Sequence, residues 1–453
     1  MALQGTYRQR HPENTAFYQC LESYWPEFKE TYPYFYEKEY GPLRQVVEKT
    51  VERFLDCGIY RNGFARIRCG DCGHETLLAF SCKTRYFCPS CQAKRVAAFV
   101  EWMTTEILEP VDHRQMVWTI PKVLRPTFRR DRRLLGELVR CAWKTLQEYF
   151  SVGLKTKSMG GAVFAIHTFG DKINFHPHLH SLVSDVVWDG DNTFSIGRLD
   201  SSALTKLFQH QVLDMLVREN RLSREFSQKL RNWHHSGFQV WTGRPVSPDD
   251  LLALERLCAY ILRPSFAGTR LDYDDNNGQI EYETTKGVHR SMDALDWIAL
   301  VTSHIPDPNE QTVRYYGRFS NAARGKRRKK ALGQPATDEA NSVPEPDSTA
   351  RHFARDRRRN WARLLKKIYE IDPLTCFRCG GQMDVIAFIE GPSIIRKILQ
   401  HLGLWDRPAR SPPPRLFPHK MESFLQSLTP RKAQKVRASS DSLFWDDVPV
   451  FEE

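Results

Sequence analysis

Residues 173–183 read Ile173-Asn174-Phe175-His176-Pro177-His178-Leu179-His180-Ser181-Leu182-Val183. Three histidines stand at every second position, and an apolar run follows. In an extended strand, side chains two apart share a face. His176, His178 and His180 then converge on one side, while Phe175 and Leu179 pack on the other. A ladder of imidazoles on one face is a donor set for a metal ion. It is also what an ordinary polar strand face looks like, and spacing alone does not choose. Just upstream, Ala162–Ile166 (AVFAI) reads as a strand leading into His167, and Gly170–Asn174 (GDKIN) as the turn that folds the chain back. Pairing the two strands brings His167 near the other histidines as third ligand. His176 is the alternative ligand, and a satisfied core histidine is the alternative reading of His167.

The surrounding segments alternate between strand-like and helix-like over 96–320. Val117–Ile120 reads as another strand. Residues 131–150 place Leu135, Leu138, Val139, Ala142, Leu146 and Phe150 at helical spacing, and 201–217 repeat the pattern behind serines suited to an N-cap. The whole chain has 453 residues, 41% of them apolar and 12% aromatic, enough for several packed domains. Its 66 basic and 54 acidic residues leave a net charge of +12, which points to a polyanionic partner, most simply nucleic acid. No run of about 18 apolar residues spans a membrane, and the first twenty residues lack the apolar core of a signal peptide. The expectation is a cytoplasmic protein without a membrane partner, whose eleven cysteines bind metal rather than form disulfides.

Six of those cysteines fall within 57–91. Cys69 and Cys72 form one C-x-x-C pair and Cys88 and Cys91 a second, fifteen residues further on. That spacing predicts one closed, tetrahedral, structural zinc site from these four thiolates. Cys57, Cys82 and His74 are left over, either to replace a ligand or to build a second site. Arg66, Arg68, Lys83, Arg85, Lys94 and Arg95 stud the segment and suit DNA phosphates, or else form a solvated face. A last pair, Cys376 and Cys379, has no matching second pair. It is a half-site for His401 or another subunit to complete, or a pair of buried thiols.

Residues 247–264 (SPDDLLALERLCAYILRP) predict a helix with Ser247 as N-cap, Pro248 in its first turn and Pro264 at its end. Leu251, Leu254, Cys258 and Ile261 make its apolar stripe. Tyr260 lies off the stripe, with Arg256 four residues before and Arg263 three after. Two guanidiniums can hold a phosphate while a phenol attacks it, although most helix tyrosines are packing residues.

Together these motifs resemble the rolling-circle transposases of the insertion-sequence-91 family, within the HUH endonuclease superfamily. The resemblance covers most of the chain. It rests on FSCKTRYFCPSCQAKR (80–95), VWTIPKVLRP (117–126), HPHLHSLV with His178-Leu179-His180, AYILRPSFAGTRL (259–271), SHIPDPNEQTVRYYGRFSN (303–321) and CFRCGG, in that order. It implies an α+β fold: an HUH-type antiparallel sheet with flanking helices, preceded by a zinc-binding module and followed by a small C-terminal one. It implies that His178 and His180, with His167, hold magnesium or manganese, whereas imidazole ligation by itself favours zinc or another transition metal. Tyr260 would form a 5′-phosphotyrosine link to single-stranded DNA at element ends and target, in a bacterial, nucleoid-associated protein. Better-known members carry Y-x-x-x-Y on this helix. Here the earlier position is Arg256, so a single-tyrosine scheme is implied, with Tyr315 and Tyr316 as reserve nucleophiles. The competing functions are a plasmid replication initiator or relaxase of the same chemistry, and a non-catalytic zinc-dependent DNA-binding protein. The expected domains are 1–98 (zinc-binding, DNA-binding), 99–321 (catalytic), a linker over 322–352, a C-terminal module over 353–405, and a Pro-rich, acidic tail over 406–453.

Overall fold

The computed structural model describes residues 11–154, 159–190, 192–233, 236–331 and 375–405. The N-terminal part comprises α1 (Ala16–Phe35), α2 (Glu37–Tyr40), α3 (Gln45–Leu55), the hairpin β1 (Phe64–Cys69) and β2 (Glu75–Ala79), and α4 (Pro89–Trp102). Next come β3 (His113–Thr119), α5 (Arg125–Arg130), α6 (Arg133–Leu154), β4 (Met159–Phe169), β5 (Phe175–Asp189) and β6 (Asn192–Ser195). They are followed by α7 (Ser201–Arg218), α8 (Arg224–Asn232), β7 (Gln239–Thr242) and α9 (Leu251–Ile261). The remainder is β8 (Leu271–Asp274), β9 (Gln279–Glu283), β10 (His289–Asp293), α10 (Ala294–Ser303), β11 (Val313–Gly317), α11 (Asn321–Ala331), β12 (Met383–Ile389) and α12 (Pro392–His401).

The fold is mixed α+β around an antiparallel sheet ordered β11-β4-β5-β3-β7, with β6 against the far end of β5. The histidine strand β5 is central, between β4 and β3. Its odd positions Phe175, Leu179 and Val183 bury with Trp118 and Phe164 under α6 and α7. Its even positions face the other way, where Leu182 joins Val163, Cys258 and Ile261 in a second core beside α4 and α9. The two-residue period of a strand thus produces a helix–sheet–helix sandwich with the histidines on the α9 face. Pro177 is tolerated in this inner strand because the β3 ladder ends at His178, opposite Thr119, and the β4 ladder is irregular between His167 and Phe169.

Residues 11–60 do not stand alone. Phe17, Trp25, Phe28 and Phe54 share a core with Phe266 after α9, Tyr282 on β9 and Trp297 on α10. The hairpin β1–β2 is extended on its β1 edge by β12, which pairs antiparallel from Phe64↔Ile389 to Cys69↔Met383. Residues 375–405 therefore complete an N-terminal sheet, and the described part of the expected C-terminal module is no separate body. The expected linker also begins differently, since Asn321–Ala331 is helical. Residues 332–374, including the basic segment 355–371, and the tail 406–453 lie outside the described residues. No helix among the described residues is long and apolar enough to cross a membrane.

Candidate active site and metal centres

The β4–β5 hairpin decides the histidine geometry. Gly170 N–H donates to Asn174 O and Ile173 N–H to Gly170 O, closing the turn and setting His167 opposite His178. Ile173 takes a φ of 60° there, an unusual conformation for a β-branched residue, held by burial and by His304 Nε2 donating to its carbonyl. The ligand atoms of His167, His178 and His180 all lie within 4.8 Å of one another. His176 is buried next to His178 but falls outside this trio.

Each ring of the trio is tied down through its other nitrogen, the arrangement that orients metal-binding histidines. His178 Nδ1 donates to His176 O at 2.8 Å, and His167 Nε2 donates to Ile261 O at 3.1 Å. His180 Nδ1 meets the Gln115 side-chain amide at 3.2 Å. This leaves Nε2 of His178 and His180 facing each other at 3.0 Å, and a buried Nδ1 of His167 with no protein partner. Two nitrogens each about 2.1 Å from one ion, at a right angle, stand about 3.0 Å apart. Burial is the first cause holding the three rings unprotonated: His167 is pushed down to about 3, His178 to about 4, and His180 well below its usual value. Neutral imidazole is the form that ligates. On these observations the trio fits a cation.

Tyr260 reaches the same face. Helix α9 buries Leu254, Cys258 and Ile261 as its stripe predicted, but Leu251 is exposed, and the N-cap is Asp250, accepting from Ala253 N–H, instead of Ser247. The helix ends beside β4, where His167 grips the Ile261 carbonyl. The Tyr260 ring stands 4.8 Å from that of His180 and 6.5 Å from that of His167, centroid to centroid. Arg263 Nη1 donates to Tyr260 Oη at 3.0 Å, and its guanidinium lies over the phenol ring. Arg256 is solvent-exposed one turn earlier. Tyr315 packs edge-on against Trp102 and Tyr316 stacks on Trp143, so the reserve tyrosines are packing residues of β11.

A residue with no sequence signal holds the end of α9 in place. Gln92, on α4, is buried, and its side chain accepts from Tyr86 N–H at 2.9 Å and donates to Leu262 O at 2.8 Å. It sits next to Cys91, so the cysteine-rich segment braces the tyrosine helix.

The expected quartet Cys69, Cys72, Cys88, Cys91 does not form. Cys88 and Cys91 join Cys57 and Cys82, whereas Cys69 and Cys72 join Cys376 and Cys379. The reason is the β1–β2 hairpin between the two pairs. Cys57 precedes and Cys82 follows it, at its base, where Gly58 N–H bonds Phe80 O. Cys69 and Cys72 cap its tip. Strand β1 covers six residues between them, about 17 Å at 3.3 Å per step, and no single ion bridges that. In the base cluster Sγ–Sγ separations run 3.5–3.8 Å, close to the edge of about 3.8 Å of a ZnS4 tetrahedron. They are far too long for disulfides, and all eleven cysteines are free.

The basic residues expected on DNA divide. Lys83 and Arg95 are exposed and Lys94 is half-buried, but Arg85 is committed to the Glu310 carbonyl at 3.0 Å.

Two family profiles match the chain: a "Transposase zinc-binding domain" over residues 21–120 and a "Putative transposase" over 161–327. The first covers the whole base cluster. The transposase of insertion sequence element IS801 from Pseudomonas savastanoi pv. phaseolicola is 25% identical over 387 residues, 79% of this chain and 87% of that protein. "Putative transposase y4qJ" of Sinorhizobium fredii is 24% identical over 312 residues, 62% of this chain and 75% of that protein. No solved structure matches.

Proposed function

This chain belongs to the insertion-sequence-91 family of transposases, and from that premise we propose that it nicks and rejoins single-stranded DNA through a covalent link on Tyr260. The observation that carries this reading is the Tyr260 ring standing 4.8 Å from His180, on the sheet face where three unprotonated imidazoles converge. Most helix tyrosines have no such neighbours.

His167 Nδ1, His178 Nε2 and His180 Nε2 would hold a divalent ion, magnesium or manganese. Such an ion supplies positive charge against an oxygen of the scissile phosphate. The chain's own residues supply the rest. Tyr260 Oη attacks phosphorus as its proton passes to water. The new P–O bond forms while the bond to the 3′-oxygen breaks, and that oxygen leaves as a hydroxyl after taking up a proton. Arg263 already donates to Oη, so it stabilises the negative charge that develops there. The phosphodiester is exchanged for a phosphotyrosine of similar energy, so an incoming 3′-hydroxyl can reverse the step without ATP. One tyrosine serves one link at a time, as Arg256 at the earlier position dictates. The DNA partners are element ends and target, met as single strands.

The test is cleavage of labelled single-stranded oligonucleotides from the ends of the element, with magnesium or manganese. Wild type should give a metal-dependent nick and a DNA-linked protein band, both lost in Tyr260→Phe and in His178→Ala/His180→Ala. Nicking that survives in Tyr260→Phe overturns the assignment. Tight DNA binding by wild type without any nick favours a non-catalytic DNA-binding protein.

A further inference from the structure

The tip of the β1–β2 hairpin carries a second set of four thiols. Cys69 Sγ lies 3.5 Å from Cys379 Sγ, and Cys72 Sγ 3.5 Å from Cys376 Sγ. The four close to within 4.8 Å of one another, and the two halves are 304 positions apart in the chain. The cluster lies outside any single family profile, because Cys376 and Cys379 follow both matched segments.

The two halves are built alike. Cys69-x-x-Cys72-Gly73 and Cys376-x-x-Cys379-Gly380 each close with a glycine at positive φ, 69° and 76°. Each glycine N–H returns to the carbonyl of the first cysteine, at 3.1 and 2.8 Å. Each first cysteine donates its own N–H to the carbonyl five residues on, His74 or Gly381, both at 2.8 Å. Backbone N–H groups are aimed at sulfur: His74 at Cys72, Arg378 and Cys379 at Cys376, and Gly381 at Cys379 at 3.4 Å. N–H groups converging on sulfur suit thiolates better than thiols. Asp71, in the first turn, lies against Gly381 in the second, where a Cβ would leave no room. By contrast, Cys88 and Cys91 open a helix, with Cys88 at its N-cap. The tip cluster is a different kind of site from the base cluster.

We propose that Cys69, Cys72, Cys376 and Cys379 bind a second structural zinc ion, which fastens β12 to the β1–β2 hairpin in one three-stranded ribbon. Four thiolates leave no open position, so this zinc does no chemistry on DNA. Binding releases the thiol protons, and the ion clamps β12 against β1 at Cys69↔Met383, where the ladder ends. A clip across a loop this long restrains the unfolded chain more than a local one does.

The experiment is zinc counting on the full-length protein purified without added metal, by native mass spectrometry under non-reducing conditions. Wild type should carry two zinc ions per chain. Cys376→Ser/Cys379→Ser should carry one. Cys57→Ser/Cys82→Ser, which empties the base cluster, should also carry one if it folds. Thiol alkylation followed by peptide mapping supplies the reading that does not depend on variants. In wild type Cys69, Cys72, Cys376 and Cys379 should be protected together and become reactive together on chelation. A single zinc in wild type, two zinc ions retained in Cys376→Ser/Cys379→Ser, or a Cys69–Cys379 or Cys72–Cys376 disulfide in place of the metal would each overturn the proposal.

Discussion

Replacing Arg263 with alanine tests whether the contact to the Tyr260 phenol acts in the reaction or merely packs. Arg263 Nη1 is 3.0 Å from Oη, and the guanidinium carbon is 5.4 Å from the ring centre. In the resting site this is a hydrogen bond to the phenol oxygen. During attack the same oxygen loses its proton and carries negative charge, so the bond strengthens as the barrier is climbed. Hydrogen bonds to charged groups contribute about 1.5–3 kcal/mol. At about 1.36 kcal/mol per decade, Arg263→Ala should slow the chemical step roughly 10- to 150-fold. Arg263→Lys keeps the charge but not the planar fork, and should recover part of that loss. The assay is single-turnover cleavage of an end-labelled single strand at saturating DNA and metal, so that weakened DNA binding does not contribute. A rate for Arg263→Ala within twofold of wild type refutes the reasoning. So does a deficit that vanishes as DNA concentration rises, because Arg263 then binds substrate and transition state alike.

Three other perturbations follow from the packing. Gln92→Ala strands the buried N–H of Tyr86 and the carbonyl of Leu262; at about 1–3 kcal/mol for each group left unpaired, it should lower stability by roughly 2–6 kcal/mol and loosen the amides at the end of α9, read by hydrogen exchange. Gly317→Ala places a Cβ 1.9 Å from the Gly160 carbonyl oxygen at a φ of +57°, so the melting temperature should fall, and an unchanged value would mean the end of the β11–β4 ladder is not packed as described. His113 and His304 are both buried and pushed down to about 4, below the usual 6.5, by burial first. The unfolded chain then binds more protons than the fold between these values. Stability should be unaffected by these groups above pH 6.5 and should fall as pH drops from there to 4, by about 3 kcal/mol for each, as followed by denaturant titration.

Much of the histidine face was legible because strand periodicity is local. Alternation in HPHLH placed His178 and His180 together, and GDKIN supplied the turn that brought His167 opposite His178. The helix around Tyr260 was legible from its apolar spacing, although Asp250 outcompeted Ser247 for the cap by being one residue from the first helical turn. The cysteine pairing was not legible from the spacing rule used. Fifteen residues between two pairs looked sufficient, but the rule takes no account of a rigid hairpin folded between them. A finer signal was present: Gly73 follows Cys72 as Gly380 follows Cys379, whereas Cys91 is followed by Gln92. Gln92 and Gln115 carry no pattern at all, since their roles depend on which backbone or ring nitrogen tertiary packing brings to them. The chain from 322 read as the start of a linker because it opens as a basic block, but Arg327 and Arg328 on it pair with Glu109 and Glu106.

The pairing of β12 with β1 also orders events in time. A ribosome adds about 5–20 residues per second, so the 304 positions separating Cys72 from Cys376 correspond to roughly 15–60 s of synthesis. Throughout that interval β1 presents one bare edge, its backbone donors and acceptors open to any strand nearby, including another nascent copy. A message cut short before residue 375 yields a chain whose histidines and tyrosine are all present but whose first sheet is never finished. Such a product keeps an open strand edge, a template for pairing with another chain, and lacks Cys376 and Cys379 to join the hairpin tip.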